Sequence, residues 1–583
     1  MPHDYASFAS AFHAHRTQSP NQRAALGLTE RLGELPDPSV QAAEARFQRA
    51  EALREAARRL RGADLTGSEQ QTSGAPRLDF DQALDLELAE LALSAEVLKD
   101  RVTSGGGERL RSWPSAGDDL GDGLFGLFIN DPRPAAERLA DAVSKLEAVP
   151  DYLASLLGRL ERPVARWVAM DQSKVSGLPE LFGHLEAWSA SEAFADHERL
   201  VRAGAKAQGA LTSYHQRLGE LPSTPDIHVG EEAAEAIIRS RGVFLSPAEL
   251  HGVAKDFLKK IAEQLEVLRG RLVSKYDLPK DTTEEALQQF LAERYRVPLQ
   301  NGKLEDILTR YQAERERILG FIRERELFPI PEDQDMLILR TPSFLTPTIP
   351  AGAMTSPPPF RSGTKRSLVY LTLSEELVAE HTELSIPGMM IHEGIPGHHL
   401  QLSWGALHSS VIRRHIDAMD HAEGWTTMLE DYMLDVGYAA ELADEVRFST
   451  KRDIARIGAR VAIDLFFMSG NKSYLEVGVK SDLSPDDPFV AAGNLLAAVT
   501  GFVPGRVQAE LNWYSQERGY PLSYLAGNHL VWQLKRDLEA AQTGRLAGAA
   551  LDREFHRVYL ESGNMPVAFL RRVFEHQGLL GAG

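Results

Sequence analysis

The sequence predicts a mainly helical protein with one small β region. Most of the 583 residues follow patterns of spaced apolar positions that fit amphipathic helices. A proline-rich stretch at 329–373 interrupts these patterns and contains two short β-like runs. The chain is also longer than a single hydrophobic core normally supports, so at least two structural units are expected.

The N-terminal part of the chain consists of amphipathic segments rich in Ala, Arg, Glu and Leu. They are predicted helices that pack on one another, at 39–62, 78–102, 134–161, 179–219, 247–275 and 303–327. Two stretches rich in Gly, Ser and Asp, 62–76 and 103–123, are predicted loops or helix connections.

The β region near 336–373 is predicted from two runs, MLIL at 336–339 and SLVYLTL at 367–373. These runs indicate a small hairpin or sheet with a long loop between its strands. Helical patterns then return and continue almost to the end of the chain. We therefore divide the chain into an N-terminal helical region, 1–330, and a C-terminal region, 331–583, which carries the chemistry. Helices from both regions can line one continuous cleft.

The composition excludes several classes of protein. The formal net charge is −19, from 83 acidic and 64 basic residues. Nucleic acids and anionic membranes bind positive charge, so neither is expected as the main partner. The sequence contains no cysteine. Disulfides and thiolate chemistry are therefore excluded, and any zinc site must use His, Asp or Glu.

The first residues, MPHDYASFASAFHAHRT, lack the basic start and apolar run of an export signal. No stretch approaches the roughly 18 uninterrupted apolar residues that a membrane helix requires. We therefore predict a soluble, cytoplasmic protein, although the mature form of an exported protein could have the same sequence character.

The stretch MMIHEGIPGHHLQLSW places a histidine and a glutamate side by side in apolar surroundings. On a regular helix, a histidine four residues after His392 would lie about 40° from it and could share its metal ion. The next histidines are His398 and His399. On a regular helix His398 would lie about 240° round from His392, and His399 would lie about 10 Å further along, so neither could share the ion. Pro396 removes a helical hydrogen bond, and Gly397 permits unusual backbone angles. We predict one helix with a bulge there, which makes His398 the second ligand, with His399 as the alternative.

A catalytic zinc ion needs a third protein ligand. In the helix pattern DHAEGWTTMLEDYM, Glu423 and Glu430 are seven residues apart and share one face. Glu423 is the preferred ligand, because the adjacent glycine allows close approach and the adjacent tryptophan can line the site. Glu430 would then orient a histidine. Glu393 cannot face the metal together with His392, so we assign it as the base that activates water.

Structural interpretations of the same residues remain open. A lone histidine-glutamate pair usually lies on a helix surface, and paired histidines can close a helix C-terminus through its dipole. The joint occurrence of the pair, the later histidines and the glutamate in one apolar setting favours the metal site.

Four motifs occur in order along the C-terminal half: HEGIPGHHLQ at 392–401, EGWTTMLED at 423–431, LSYLAG at 522–527 and FHRVYLESGNMP at 555–566. Together they resemble a bacterial family catalogued as domain of unknown function 885. The resemblance is strong over 330–583 and weak before it. It implies a zinc peptidase with a His-Glu helix and a glutamate third ligand. It also implies a helical fold similar to the Taq-type carboxypeptidases, which surround a deep cleft.

The resemblance implies one zinc ion with three ligands and a general base, namely His392, His398 and Glu423 with Glu393. It also points to Tyr524 and His556 as cleft residues, where a phenol or an imidazole can stabilise an oxyanion. A core tyrosine and a buried structural histidine are the alternatives. Arg456 and Arg460, at helical spacing, can hold a substrate carboxylate, or else form a solvated or salt-bridged face.

The sequence departs from the family pattern in two places. The stretch ARVAIDLFFMSGN matches a family stretch that reads Asp-Thr-Gly-Ile-His, and it keeps Asp464 but has Met468 in place of the histidine. In the family stretch Gly-Gln-Ala-Leu-Ser-Tyr, Tyr520 replaces the glutamine and Pro521 the alanine. These departures leave the proposed ligands unchanged. The substrate and the turnover can therefore differ from those of other family members.

We predict a zinc-dependent metallopeptidase, of carboxypeptidase or dipeptidase type, that hydrolyses short peptides. Two histidines and one glutamate favour zinc, although cobalt or manganese can occupy such a site. Two alternatives stay open: a metal-dependent hydrolase of a non-peptide amide or ester, and a catalytically degenerate binding protein. We expect a short peptide or small amide as substrate and no nucleic-acid or membrane partner, and we leave a homodimer open.

Overall fold

The computed structural model describes residues 2–65, 78–129, 131–341, 352–375 and 378–581. Helix accounts for 68% of the structure and strand for 4%, which confirms the prediction of a mainly helical protein. The chain forms two compact units, and the second begins at residue 234. The predicted division at residue 330 lies inside the second unit. The predicted break at 62–76 lies mostly outside the described residues, as does much of the predicted loop between the strands.

Unit 1 comprises residues 1–233 and two short returns of the chain, at 358–362 and 409–416. Its elements are α1 (Tyr5–Arg16), α2 (Pro20–Leu26), α3 (Val40–Leu65), α4 (Phe80–Arg101), β1 (Thr103–Ser104), β2 (Gly107–Glu108), α5 (Arg109–Ser112), α6 (Ala116–Ile129), α7 (Ala135–Arg159), α8 (Ala165–Ser191) and α9 (His197–Glu220). Leucine-rich faces of α6 to α9 pack into one apolar core.

Two sequence predictions for unit 1 need correction. The stretch 103–123 is not all loop, because α6 begins at Ala116. The leucines of α6 recur at helical spacing and are buried in the core, and their burial outweighs the weak helix propensity of its glycines. The segment 179–219 is divided between α8 and α9, because the backbone at Ala193 has a positive φ of 48°, which ends α8.

The returning segments join unit 1 through specific bonds. The amide of Phe360 donates to the carbonyl of Leu26 at 3.0 Å. Arg413, which is 2% exposed, donates through Nε to Asp85 at 2.6 Å. Because each partner of this buried ion pair would be costly to leave alone, the pair fixes the 409–416 segment on unit 1.

Unit 2 contains the remaining helices and strands, apart from the first three residues of α10, which belong to unit 1. They are α10 (Glu231–Ser240), α11 (Pro247–Lys275), α12 (Glu284–Arg294), α13 (Glu305–Arg325), β3 (Gln334–Arg340), β4 (Gly352–Thr355), β5 (Lys365–Leu371), α14 (Ser385–Glu393), α15 (His398–Leu407), α16 (Met419–Asp435), α17 (Ala443–Ile454), α18 (Arg456–Ser469), α19 (Pro488–Thr500), α20 (Pro504–Gln516), α21 (Ser523–Ala541), α22 (Ala549–Glu561) and α23 (Val567–His576). Among the described residues, no single helix has both the length and the apolarity to cross a membrane. Helices α19 and α20 meet these criteria only as a pair, bent by 120°.

The small sheet of unit 2 has the strand order β3-β5-β4. Strand β3 contains the first predicted run, and β5 contains the second up to Leu371. The two strands pair in parallel, and β4 pairs antiparallel with β5. The sheet is therefore not a simple hairpin. The four residues of β4, GAMT, carry too little β-branched or aromatic sequence to be predicted as a strand.

Helices α16 and α21 cross at two glycines. A Cβ atom on Gly424 would lie 2.5 Å from the backbone carbon of Gly527, and one on Gly527 would lie 2.1 Å from the carbonyl oxygen of Asp420. These distances are too short for any side chain, so the crossing requires glycine on both helices. The crossing fixes α16, which carries Glu423, against α21, which begins with Tyr524 in its first turn.

We predict that Gly424→Ala lowers the free energy of unfolding by about 1–3 kcal/mol, the usual cost of overpacking. The matched control is Gly252→Ala in α11, where an added Cβ meets nothing within 4 Å. Since alanine is the better helix former, the control should be neutral or slightly stabilising. Urea denaturation compares the two. Equal stability of Gly424→Ala and the wild type would contradict the close crossing.

Candidate metal centre

The histidine-glutamate motif lies at the end of α14, and the chain then turns back to begin α15. Helix α14 ends at Glu393 and α15 starts at His398. The predicted single helix with a bulge is therefore wrong, because the structure has two helices. The intervening glycines, Gly394 and Gly397, have ψ angles of −126° and −135°, outside the helical region. The carbonyl of Pro396 accepts a bond from the indole of Trp425 at 2.8 Å.

The turn brings three potential ligands together in unit 2. The ligand atoms of His392, His398 and Glu423 all lie within 4.8 Å of one another. Oε2 of Glu423 is 3.6 Å from Nε2 of His392 and 3.3 Å from Nε2 of His398. Tetrahedral zinc with bonds of about 2.0–2.1 Å separates its ligand atoms by roughly 3.4 Å. The spacing around Glu423 therefore suits such an ion.

The cluster is buried and carries unused polar atoms. Glu423 is 4% exposed. Within the described residues, neither its Oε2 nor Nδ1 of His398 has a hydrogen bond of acceptable geometry. A buried carboxylate oxygen without a bond is costly. Because a cation would satisfy that oxygen, the donor set fits a divalent metal ion.

The electrostatics of the cluster also favour positive charge. Burial opposes the charged form of His392, but the neighbouring carboxylates of Glu423 and Glu430 outweigh it and raise its pKa to about 10. Burial likewise opposes the charged form of Glu423, but the two imidazoles hold the pKa of this carboxyl below its usual value. A metal ion would replace the proton in this arrangement.

Glu430 occupies the position predicted for an orienting residue. Its Oε1 accepts a hydrogen bond from Nδ1 of His392 at 2.8 Å. A carboxylate can only accept, so Nδ1 carries the proton, and Nε2 of the neutral ring is left as the ligand atom. Such partners fix the ring orientation of metal-binding histidines.

The alternative second ligand, His399, points away from the cluster. Its ring is fully buried, and it bonds through Nδ1 to Ser367 at 2.7 Å and through Nε2 to Gln334 at 2.6 Å. Both nitrogens are therefore used in attaching α15 to the sheet. His398 is the histidine that joins His392 and Glu423. Glu393, the predicted base, is half-buried at the last position of α14, beside His392.

Two of the remaining predicted residues belong to an aromatic group beside Glu423. The guanidinium of Arg460 lies 4.5 Å from the centre of the Tyr524 ring. Arg460 is 6% exposed and donates through Nε to Tyr514 and through Nη2 to Glu510, each at 2.9 Å, so two of its nitrogens already have partners. Arg456, at the start of α18, donates to the carboxylate and the carbonyl of Asp453 near the end of α17. A carboxylate-binding role for the two arginines stays a prediction.

His556 lies in the aromatic core of unit 2. Its imidazole is fully buried, stacks on Phe328 at 4.3 Å and donates through Nδ1 to the carbonyl of Leu327 at 2.9 Å. Burial lowers its pKa to about 4. These contacts match the structural alternative for this residue, and none of them involves the three candidate ligands.

Sequence reasoning did not select Tyr520 as a site residue, although it noted that Tyr520 replaces a family glutamine. Its hydroxyl lies 3.4 Å from Oε1 of Glu423. The only sequence signal was its position one helical turn before Tyr524. Met468, the other departure, is fully buried in α18.

The fold and the site together define a class of protein: a mainly helical protein with a buried cluster of two histidines and a glutamate. The chain belongs to the family described as "Bacterial protein of unknown function (DUF885)", whose model matches residues 20–574. This match confirms the family resemblance. The membership in a zinc-peptidase clan and the likeness to Taq-type carboxypeptidases stay predictions.

Two solved structures share the fold. A putative lipoprotein of unknown function from Shewanella oneidensis has a TM-score of 0.73 and 16% identity, over 98% of this chain and 100% of that chain. A putative lipoprotein from Colwellia psychrerythraea has a TM-score of 0.71 and 16% identity, over 98% of this chain and 99% of that one. At such identity the likeness concerns the fold alone. No curated protein matches the sequence.

The prediction of a cytoplasmic protein is wrong by this comparison, because both related structures are of putative lipoproteins. The prediction relied on the absence of a long apolar segment. A folded domain faces water in an exported protein as much as in a cytoplasmic one, so its composition does not distinguish the compartments.

We predict that Glu423→Gln abolishes tight zinc binding, because it removes the charge that completes the ligand set. Glu430→Gln should weaken zinc binding by about 10- to 100-fold, as expected for a residue that orients a ligand. Calorimetric titration with zinc measures both. The control is Glu445→Gln, a fully buried carboxylate bound to Tyr276 and outside the cluster. Loss of zinc in Glu430→Gln but not in Glu423→Gln would reverse the two roles.

Proposed function

We propose that the protein is a zinc-dependent hydrolase, most consistent with a metallopeptidase of carboxypeptidase or dipeptidase type acting on short peptides. The observation that carries this proposal is the buried convergence of His392, His398 and Glu423, with an unsatisfied Oε2 on the glutamate. Two histidines, one carboxylate and an open position form the usual donor set of a catalytic zinc site.

The residues around the cluster support hydrolysis over a purely structural metal site. A structural zinc ion is normally closed by four protein ligands, whereas only three converge here among the described residues. Glu393 is half-buried at the last position of α14, next to His392, where a carboxylate can act as a proton acceptor.

A zinc ion bound here would polarise a substrate carbonyl and acidify a water molecule. Glu393 would accept the proton of that water on its carboxylate and deliver it to the leaving amine. Glu430 would hold the Nδ1 proton of His392 throughout, so that the ring keeps its orientation. The pKa of Tyr524 is raised by burial and then by the charge of Glu423, so its hydroxyl stays protonated and can donate to a developing oxyanion.

A metal-dependent hydrolase of a non-peptide amide or ester would use the same residues in the same roles. Water activation and proton transfer by Glu393 serve any acyl substrate. Parallel assays with short free peptides, blocked peptides, and small amides and esters separate the two forms of the proposal. Preference for free peptides would support the peptidase.

We predict that Glu393→Gln retains zinc binding and lowers hydrolysis by at least about 100-fold, because general-base catalysis typically contributes that much or more. Zinc content and turnover are measured on the same preparation. The matched control is Glu316→Gln on the exposed face of α13, which should keep both properties. If Glu393→Gln loses zinc together with activity, Glu393 is a ligand or a structural residue, and the proposed mechanism fails.

A further inference from the structure

The two oxygens of the Glu423 carboxylate have different surroundings. Oε2 faces Nε2 of both histidines and has no hydrogen bond of acceptable geometry among the described residues. Oε1 accepts from the hydroxyl of Tyr520 at 3.4 Å. This separation is longer than an ordinary O–H···O bond of about 2.7–2.8 Å, so a small movement of either group would close it.

The ring of Tyr520 is held on two sides. It stacks on Tyr524, with the ring centres 5.9 Å apart and the planes 17° apart, and it meets Trp513 edge-on at 5.0 Å. Tyr524 is covered in turn by the guanidinium of Arg460 at 4.5 Å. Arg460 is anchored by Glu510 at 2.9 Å. Because each layer is fixed by the next, the Tyr520 hydroxyl has little freedom to leave Glu423.

The backbone beneath Tyr520 is fixed as well. Asp464, fully buried in α18, accepts one bond from the amide of Gly519 and another from the amide of Leu522, both at 3.1 Å. Gly519 has a φ of +74°, in the left-handed region that favours glycine. The carboxylate therefore clamps the turn on both sides of Tyr520. This contact also explains the presence of a buried acid in the apolar part of this helix.

We propose that Tyr520 is a positioning residue for the metal ligand Glu423. Its hydroxyl holds Oε1, so that the glutamate presents Oε2 alone to the ion and a coordination position stays open for the reaction. Asp464, Tyr524 and Arg460 contribute indirectly, because they fix the backbone and the ring of Tyr520. This inference rests on the proposed zinc site and adds a residue that the proposed reaction itself does not require.

The test is Tyr520→Phe, which removes the hydroxyl and keeps the ring. Zinc affinity should fall by about 10- to 100-fold, as for other lost partners of metal ligands. The visible spectrum of the cobalt-loaded protein should also change, because a released Oε1 can bind the ion and raise its coordination number. Tyr520→Gln keeps a hydrogen-bond donor and should recover part of the affinity.

The matched control is Tyr438→Phe, which removes a buried tyrosine hydroxyl from another glutamate, Glu314, at 2.5 Å. It should leave zinc affinity and the cobalt spectrum unchanged. If the wild type binds zinc and Tyr520→Phe has the same affinity and cobalt spectrum, the positioning role is refuted while the zinc site stands. If the wild type binds no metal, the zinc site and the positioning role fail together.

Discussion

The close approach of Gly397 to the end of α14 is the constraint on which the cluster of His392, His398 and Glu423 depends. A Cβ atom at this position would lie 1.9 Å from the carbonyl oxygen of His392 and 2.2 Å from that of Ile391. Only glycine allows the chain to turn back so tightly. His398 can therefore start a new helix beside the last turn of the old one, and a spacing that keeps the two histidines apart on a regular helix brings their ligand atoms within 4.8 Å.

Charge matching then determines what the turn can hold. Burying Glu423 among apolar helices is unfavourable unless opposite charge or donors compensate it. The imidazoles supply part of this compensation, Tyr520 supplies a hydroxyl to one oxygen, and the other oxygen is left without a bond. The glycine crossing of α16 and α21 keeps the carboxylate and the tyrosines in register. A divalent cation would satisfy that unbonded oxygen and could bind Nε2 of both histidines.

The convergence of the three candidate ligands was predictable because its signals are local. The histidine-glutamate pair, the turn-forming Pro396 and the face shared by Glu423 and Glu430 all lie within short segments whose periodicity can be read directly. The exact form of the break was not predictable, since a bulge and a separation into two helices satisfy the same spacing. Contacts between segments that are far apart in the sequence could not be predicted either. The approach of Tyr520 to Glu423 depends on how α16 packs with the turn before α21, and the burial of His556 depends on the surrounding aromatic core.

The most direct test of this account is the metal content of the purified protein, combined with anomalous X-ray diffraction at the zinc absorption edge. The account predicts about one zinc ion per chain, bound by Nε2 of His392, Nε2 of His398 and Oε2 of Glu423. A protein that stays free of metal after incubation with zinc would contradict it. So would a zinc ion located away from these three residues.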